Sequence, residues 1–203
     1  PRKITDDFCR TCLLAFAAGV LHHDPTLHGH SERVASLSLR LGRRLRLKVS
    51  DMQVLQCAAL LHDCGKLIVD PQILNKRGSL NSREFERIKA HPRLGADFLR
   101  CAPFLGAAVP AVRHHHEHYN GSGYPDGRRG EEIPLLARII AISDAYDAMT
   151  AIRSYRAPLS RQAALNVLHQ ARGKQFDPFL VDEFLCLHRR ETWDEAGVRC
   201  AAA

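Results

Sequence analysis

Residues 54–66 read VLQCAALLHDCGK, and this stretch decides how the rest of the chain is read. Leu55, Ala58 and Ala59 recur at steps of three and four, the spacing that shares one face of an α-helix. Extending that face leads to His62, with Asp63 beside it, where another apolar residue would continue the stripe.

The same test, applied outward, returns the same residue types. Val34, Leu37, Leu41 and Leu45 form a helical stripe, and a step back of four from Val34 lands on His30. Leu105, Ala108, Val109 and Val112 lead on by three and four to His115 and His116. Leu136, Ile139 and Ile140 lead by four to Asp144, with Asp147 about one turn later. His91 precedes Pro92, a junction where one helix stops and the next starts with proline in its first turn. A single histidine on an apolar face is ordinarily a satisfied core residue. Five histidines and an aspartate at stripe ends or helix junctions form a pattern, and a core-facing carboxylate needs a partner because burying it alone is costly.

Composition agrees with helices. The 203 residues are 45% hydrophobic and only 6% aromatic, with Ala, Leu and Arg recurring and few β-branched runs, so the expected fold class is all-α. Helices are expected near 6–22, 28–47, 51–63, 82–90, 92–101, 104–118, 135–152, 160–171 and 178–189. The longest loops carry PQILNKRGSL (71–80) and NGSGYPDGRRGEEIP (120–134), whose glycines and prolines interrupt helices. One domain is expected over 1–190, with its core at about 20–185 and a tail at 191–203.

The net charge of +7 and pI near 9.3 suit an anionic partner. The basic run Arg40, Arg43, Arg44, Arg46 and Lys48 lacks interleaved aromatics, so a solvated helix face is expected there rather than a nucleic-acid surface. No apolar run of 18 residues and no secretory leader are seen, which gives the expectation of a cytoplasmic protein without membrane insertion. Seven cysteines include one CxxC, Cys9 and Cys12, with no second pair to complete a zinc site.

Imidazoles and carboxylates without thiolates suit Fe, Mn or Zn better than Ca or Mg, and Asp63 can bridge two ions. Two metals would bind phosphodiester oxygens and lower the pKa of a water between them, so the donor set points to metal-assisted hydrolysis.

LLHDCGK (60–66), the later His91, HHEHYNGSGYP (115–125) and ARIIAISDAYDAM (137–149) together resemble the HD superfamily of phosphohydrolases, specifically its HD-GYP branch. The resemblance spans about residues 20–185. It implies a compact helical bundle with the GYP loop beside a centre of two or three divalent metals, Fe or Mn, of which Thr26, in place of a glutamate, favours two. It implies His30, His62, Asp63, His91, His115, His116 and Asp144 as ligands, with Asp63 bridging. Lys66 would support charge at the scissile phosphate. Tyr124 of Gly123-Tyr124-Pro125 would help hold the ligand, and in AIRSYRAP (151–158) Arg153 and Arg156 would contact phosphate or guanine, with Asp147 orienting Arg153.

Departures from the family pattern are few. Asn120 stands where aspartate is usual, Cys64 fills the variable position of HDxGK, and Thr26 replaces the glutamate of three-metal members. His22, His23, His28, His114 and His118 fall outside the stripe argument. The implied activity is hydrolysis of cyclic di-GMP to linear pGpG, and on to GMP in some members, within bacterial second-messenger signalling. The alternatives are a phosphohydrolase of another cyclic or linear nucleotide and a catalytically silent regulatory domain. A homodimer or a regulatory protein partner is compatible with either.

Overall fold

The computed structural model describes residues 29–74, 76, 78–151 and 157–195, with side chains up to residue 188. Nine α-helices run through them: α1 (His30–Arg44), α2 (Val49–Leu61), α3 (Pro71–Leu74), α4 (Ser82–Lys89), α5 (His91–Leu99), α6 (Val109–His114), α7 (Leu135–Thr150), α8 (Arg161–Gln170) and α9 (Pro178–Glu195). Short 3-10 turns at Cys64–Ile68, Pro103–Ala108 and Gly130–Glu132 link them, and no strand occurs among the described residues. The all-α expectation holds.

Helix α7 is the central element. It buries Ala137, Ile139, Ile140, Ile142 and Tyr146, more than one face, as a helix enclosed by neighbours requires. Helix α1 packs against α2 and α7, α6 against α5 and α7, and α9 covers α1, α7 and α8. Leu41, Leu55, Leu61, Leu99, Val112, Leu168 and Phe184 complete one continuous apolar cluster. Full burial of each such side chain contributes about 1.5–3 kcal/mol, which fixes the helix ends that carry the polar residues.

Helix ends follow local chemistry. At α4, Asn81 Oδ1 accepts from Glu84 N at 2.9 Å while Glu84 Oε2 accepts from Asn81 N at 2.8 Å, a reciprocal capping box. Ser160 caps α8 and Asp177 caps α9 in the same sense.

Three expectations change. The helix expected over 104–118 is a 3-10 turn followed by the six-residue α6, because Pro110 has no N–H to return to the Gly106 carbonyl and fits best in a helix's first turn. His115 and His116 therefore follow a helix instead of lying within it. The composition break near 191 does not end the last helix, which continues to Glu195. The turn at Cys64–Ile68 and the short α3 interrupt what read as plain loop. The helix expected at 6–22 lies outside the described residues.

Candidate metal centre

The helix ends converge on one place. His30 opens α1, His62 and Asp63 follow α2, His91 opens α5, His115 and His116 follow α6, and Asp144 projects from the middle of α7. These seven side chains form two donor groups: His30, His62 and Asp144 in one, Asp63, His91, His115 and His116 in the other. Within each group the donor atoms lie within 4.8 Å of one another. Asp63 faces both, with Oδ1 3.1 Å from His91 Nε2 and Oδ2 3.4 Å from His62 Nε2 and 3.9 Å from His30 Nε2. Asp144 Oδ1 is 3.2 Å from His30 Nε2.

Backbone geometry aims most of the imidazoles. His62 Nδ1 donates to the Ala59 carbonyl at 2.8 Å, His91 Nδ1 to Ile88 at 2.8 Å and His115 Nδ1 to Val112 at 2.7 Å, each three residues back, where a helical turn leaves a carbonyl within reach. His30 Nδ1 donates instead to Asp147 Oδ2 at 2.7 Å. Placing the proton on Nδ1 leaves the Nε2 lone pairs of His62, His91 and His115 directed at the centre, and that of His30 once its second proton is lost, the arrangement that steers metal-binding histidines. Gly65 lets the turn after Asp63 lie against the start of α5: a Cβ there would stand 2.0 Å from the His91 carbonyl oxygen and 2.5 Å from Gly95 N.

The donor set fits divalent cations. His62 is fully buried, yet its Nε2 has no hydrogen-bond partner. His91 Nε2 and His115 Nε2 lie 3.4 Å apart with their protons already committed to backbone carbonyls, so two lone pairs face each other. A cation between such groups removes both penalties. Burial lowers the pKa of His62 and His115 and pushes His116 down to about 4, leaving these rings neutral and able to coordinate. At His30 burial also opposes the proton, but Asp144 and Asp147 outweigh it and raise the pKa to about 9. Burial disfavours ionisation of Asp63 too, yet Lys66, His62 and His91 hold its carboxyl well below the usual range.

Lys66 Nζ lies 2.6 Å from Asp63 Oδ2 and keeps some exposure, so its positive charge stands at the edge of the centre. Tyr124 lies over His116, with ring centroids 5.0 Å apart, and burial first, then the nearby Asp63 and Asp144 charges, push its phenol pKa well above the usual value, so the hydroxyl stays protonated. Arg153 and Arg156 lie outside the described residues, as does Thr26. Asp147, which the resemblance pairs with Arg153, binds His30 and receives Arg33, whose Nε donates to Oδ1 at 2.5 Å. Arg33 escaped the sequence reading although it lies three residues beyond His30, within the same turn of helix.

His114 is buried as well, with Nδ1 3.6 Å from both Glu117 Oε1 and Asp126 Oδ2. The stripe argument set it aside, yet it is buried as the last residue of α6. Arg113 holds both oxygens of Asp126 at 2.8 and 2.9 Å, so this third cluster already contains its cation.

The family model described as HD domain matches residues 18–180. The cyclic di-GMP phosphodiesterase response regulator RpfG of Xanthomonas campestris pv. campestris is 36% identical over 178 residues, covering 87% of this chain and 47% of its own length. The 3'3'-cGAMP-specific phosphodiesterase 3 of Vibrio cholerae is 39% identical over 175 residues, covering 85% of this chain and 38% of its own. The chain thus spans less than half the length of these curated relatives. Among solved structures, Bd1817, an HDG"Y"P protein of Bdellovibrio bacteriovorus, superposes with a TM-score of 0.65 at 21% identity over 79% of this chain and 51% of the other, a likeness of fold.

Proposed function

Because the chain belongs to the HD domain family, in its HD-GYP branch, we propose that it is a metal-dependent phosphodiesterase that hydrolyses cyclic di-GMP to linear pGpG. One observation carries the reading: the Asp63 carboxylate presents one oxygen to each of two imidazole-rich donor groups, with the Lys66 ammonium 2.6 Å away. A chain that only bound a ligand would have no need for paired, lone-pair-directed donor groups around one carboxylate.

His30, His62 and Asp144 would hold one divalent ion and His91, His115 and His116 the other, with Asp63 shared. Iron or manganese fits these nitrogen and oxygen donors. When bound, such ions supply Lewis acidity toward phosphodiester oxygens and lower the pKa of water toward neutrality. The remaining work falls to the chain. Lys66 sets a positive charge where negative charge grows on the phosphate. The Tyr124 ring offers an apolar face beside His116, and Arg153 and Arg156 would grip phosphate or guanine from the segment after α7. The basic balance of the whole chain favours approach of this anionic substrate.

The 39% identity to a 3'3'-cGAMP-specific phosphodiesterase supports a second reading, in which a mixed cyclic dinucleotide is preferred. The deciding experiment is hydrolysis of cyclic di-GMP and 3'3'-cGAMP in competition, by protein prepared without oxygen and loaded with Fe(II) or Mn(II), with Asp63→Ala and metal analysis alongside. Turnover that vanishes in the variant is expected. A wild-type chain holding two metals that hydrolyses neither dinucleotide would overturn the phosphodiesterase reading.

A further inference from the structure

His116 is held differently from the other imidazoles of the centre. His30, His62, His91 and His115 each have Nδ1 fixed by a hydrogen bond, whereas the His116 ring has none among the described residues. What constrains it is the GYP loop. Tyr124 N donates to the His116 carbonyl at 3.1 Å, and the Tyr124 ring lies over the imidazole at an interplanar angle of 32°.

That loop is fastened in turn by the carboxylate next to His116. Glu117 has no exposed side-chain surface, and its Oε1 accepts from Asp126 N at 2.8 Å. Burial pushes its carboxyl pKa up, while the backbone N–H groups of Asp126, Arg128 and Gly127 pull against that rise, so the carboxylate faces the stretch just after Pro125. Gly123 makes the close approach possible: a Cβ would lie 2.1 Å from His118 N and 2.5 Å from the Glu117 Cα. Arg113 clamps Asp126 from the other side.

We propose that Glu117 is a positioning residue that anchors residues 123–128 and, through Tyr124, sets the orientation of His116. It acts through hydrogen bonding to loop N–H groups rather than as a ligand. The consequence for metals and substrate rests on the function proposed above; the anchoring itself does not.

The test uses the full chain with Glu117→Gln, which keeps an acceptor, and Glu117→Ala, which does not. Hydrogen exchange without metal is read first: Glu117→Ala should raise exchange in 123–128 at least tenfold and leave 62–66 unchanged, with Glu117→Gln close to wild type. Mn(II) titration is read second. Glu117→Ala should weaken one of two binding events by roughly 10- to 100-fold, the cost typical of losing support behind a ligand, and leave the other within about twofold. Gly123→Ala, whose Cβ would press on the Glu117 and His118 backbone and displace the loop while the Glu117 carboxylate is retained, should repeat that selective loss, and it stands in if Glu117→Ala fails to fold. Equal damage from Glu117→Gln and Glu117→Ala would overturn the anchor in favour of a role for the charge. Unchanged exchange, or equal weakening of both Mn(II) events, would also overturn it. A wild-type chain that binds no Mn(II) would sink the proposed function alone, since the exchange result still decides on Glu117.

Discussion

The two donor groups differ in what holds them. In the group of His30, His62 and Asp144, every residue lies in a helix or directly at its end, and the histidines are tethered to Asp147 and to the Ala59 carbonyl. In the other group, His116 stands beyond the end of α6 and is shaped by a loop that returns from residue 124. Helix packing therefore builds one side of the centre, while on the other His91 and His115 are held at helix ends and His116 by the loop packed against it. Asp63 faces both groups, so two ions held there would share one carboxylate.

The change expected to erase the contrast altogether is Asp63→Ala. Both groups lose their shared oxygen donor, and the ion pair between Asp63 and Lys66 is lost. Metal content should fall on both sides and activity by more than the roughly 10- to 100-fold expected for residues behind the ligands. Metal analysis with a cyclic di-GMP assay checks this, and a variant that keeps either metal at full occupancy would break the sharing argument.

Asp147→Asn should sharpen the contrast instead. The amide cannot accept both from His30 Nδ1 and from two nitrogens of Arg33 as the carboxylate does. Metal affinity is expected to drop roughly 10- to 100-fold on the His30 side only. Mn(II) titration should resolve one weakened and one unchanged event; equal weakening of the two would mean that the sides are not separable.

Acidity offers a smaller lever on the same difference. With its pKa near 9, metal-free His30 carries a proton at neutral pH, whereas burial keeps His115 and His116 neutral there. Metal must displace that proton, so affinity on the His30 side should rise with pH, by about tenfold per unit, until about pH 9 and then level off. His62, lowered by burial, adds no proton of its own. Calorimetry at pH 7 in buffers of different ionisation enthalpy should detect about one proton released for that ion. No release would remove the electrostatic distinction between the groups.

The same division explains what the sequence made legible. Helical periodicity has a fixed step, so extending Val34 to His30, or Ile140 to Asp144, locates a side chain on a face before any tertiary contact is known. Histidines 62 and 91 were reachable by the same logic of helix ends. The tethers were not, because Asp147 and His30 are 117 residues apart and only packing of α1 against α7 brings them together. Nor did periodicity reveal that Pro110 restarts the helix, since the apolar spacing runs on through it. In the loop, Asn120 holds a local turn, its Oδ1 accepting from Ser122 N at 3.0 Å. That the loop should close over His116, and that Glu117 should lie buried beneath it, depends on approach distances for which local sequence has no periodic signal. The roles of Arg153 and Arg156 came from family resemblance alone.

The smallest effect should come from the Tyr124 side chain, because its two contributions to His116 are separable. Tyr124→Leu removes the ring but keeps the N–H that reaches the His116 carbonyl. An aromatic contact of this kind contributes about 0.5–1.5 kcal/mol beyond buried area, which corresponds to a roughly two- to twelvefold loosening of the metal on the His116 side. Tyr124→Phe keeps the stack, so it should leave metal affinity unchanged, and any rise in the KM for cyclic di-GMP would then belong to the lost hydroxyl. If Tyr124→Leu leaves Mn(II) binding as tight as in wild type, the backbone contact alone holds His116, and the difference between the two sides narrows to one hydrogen bond.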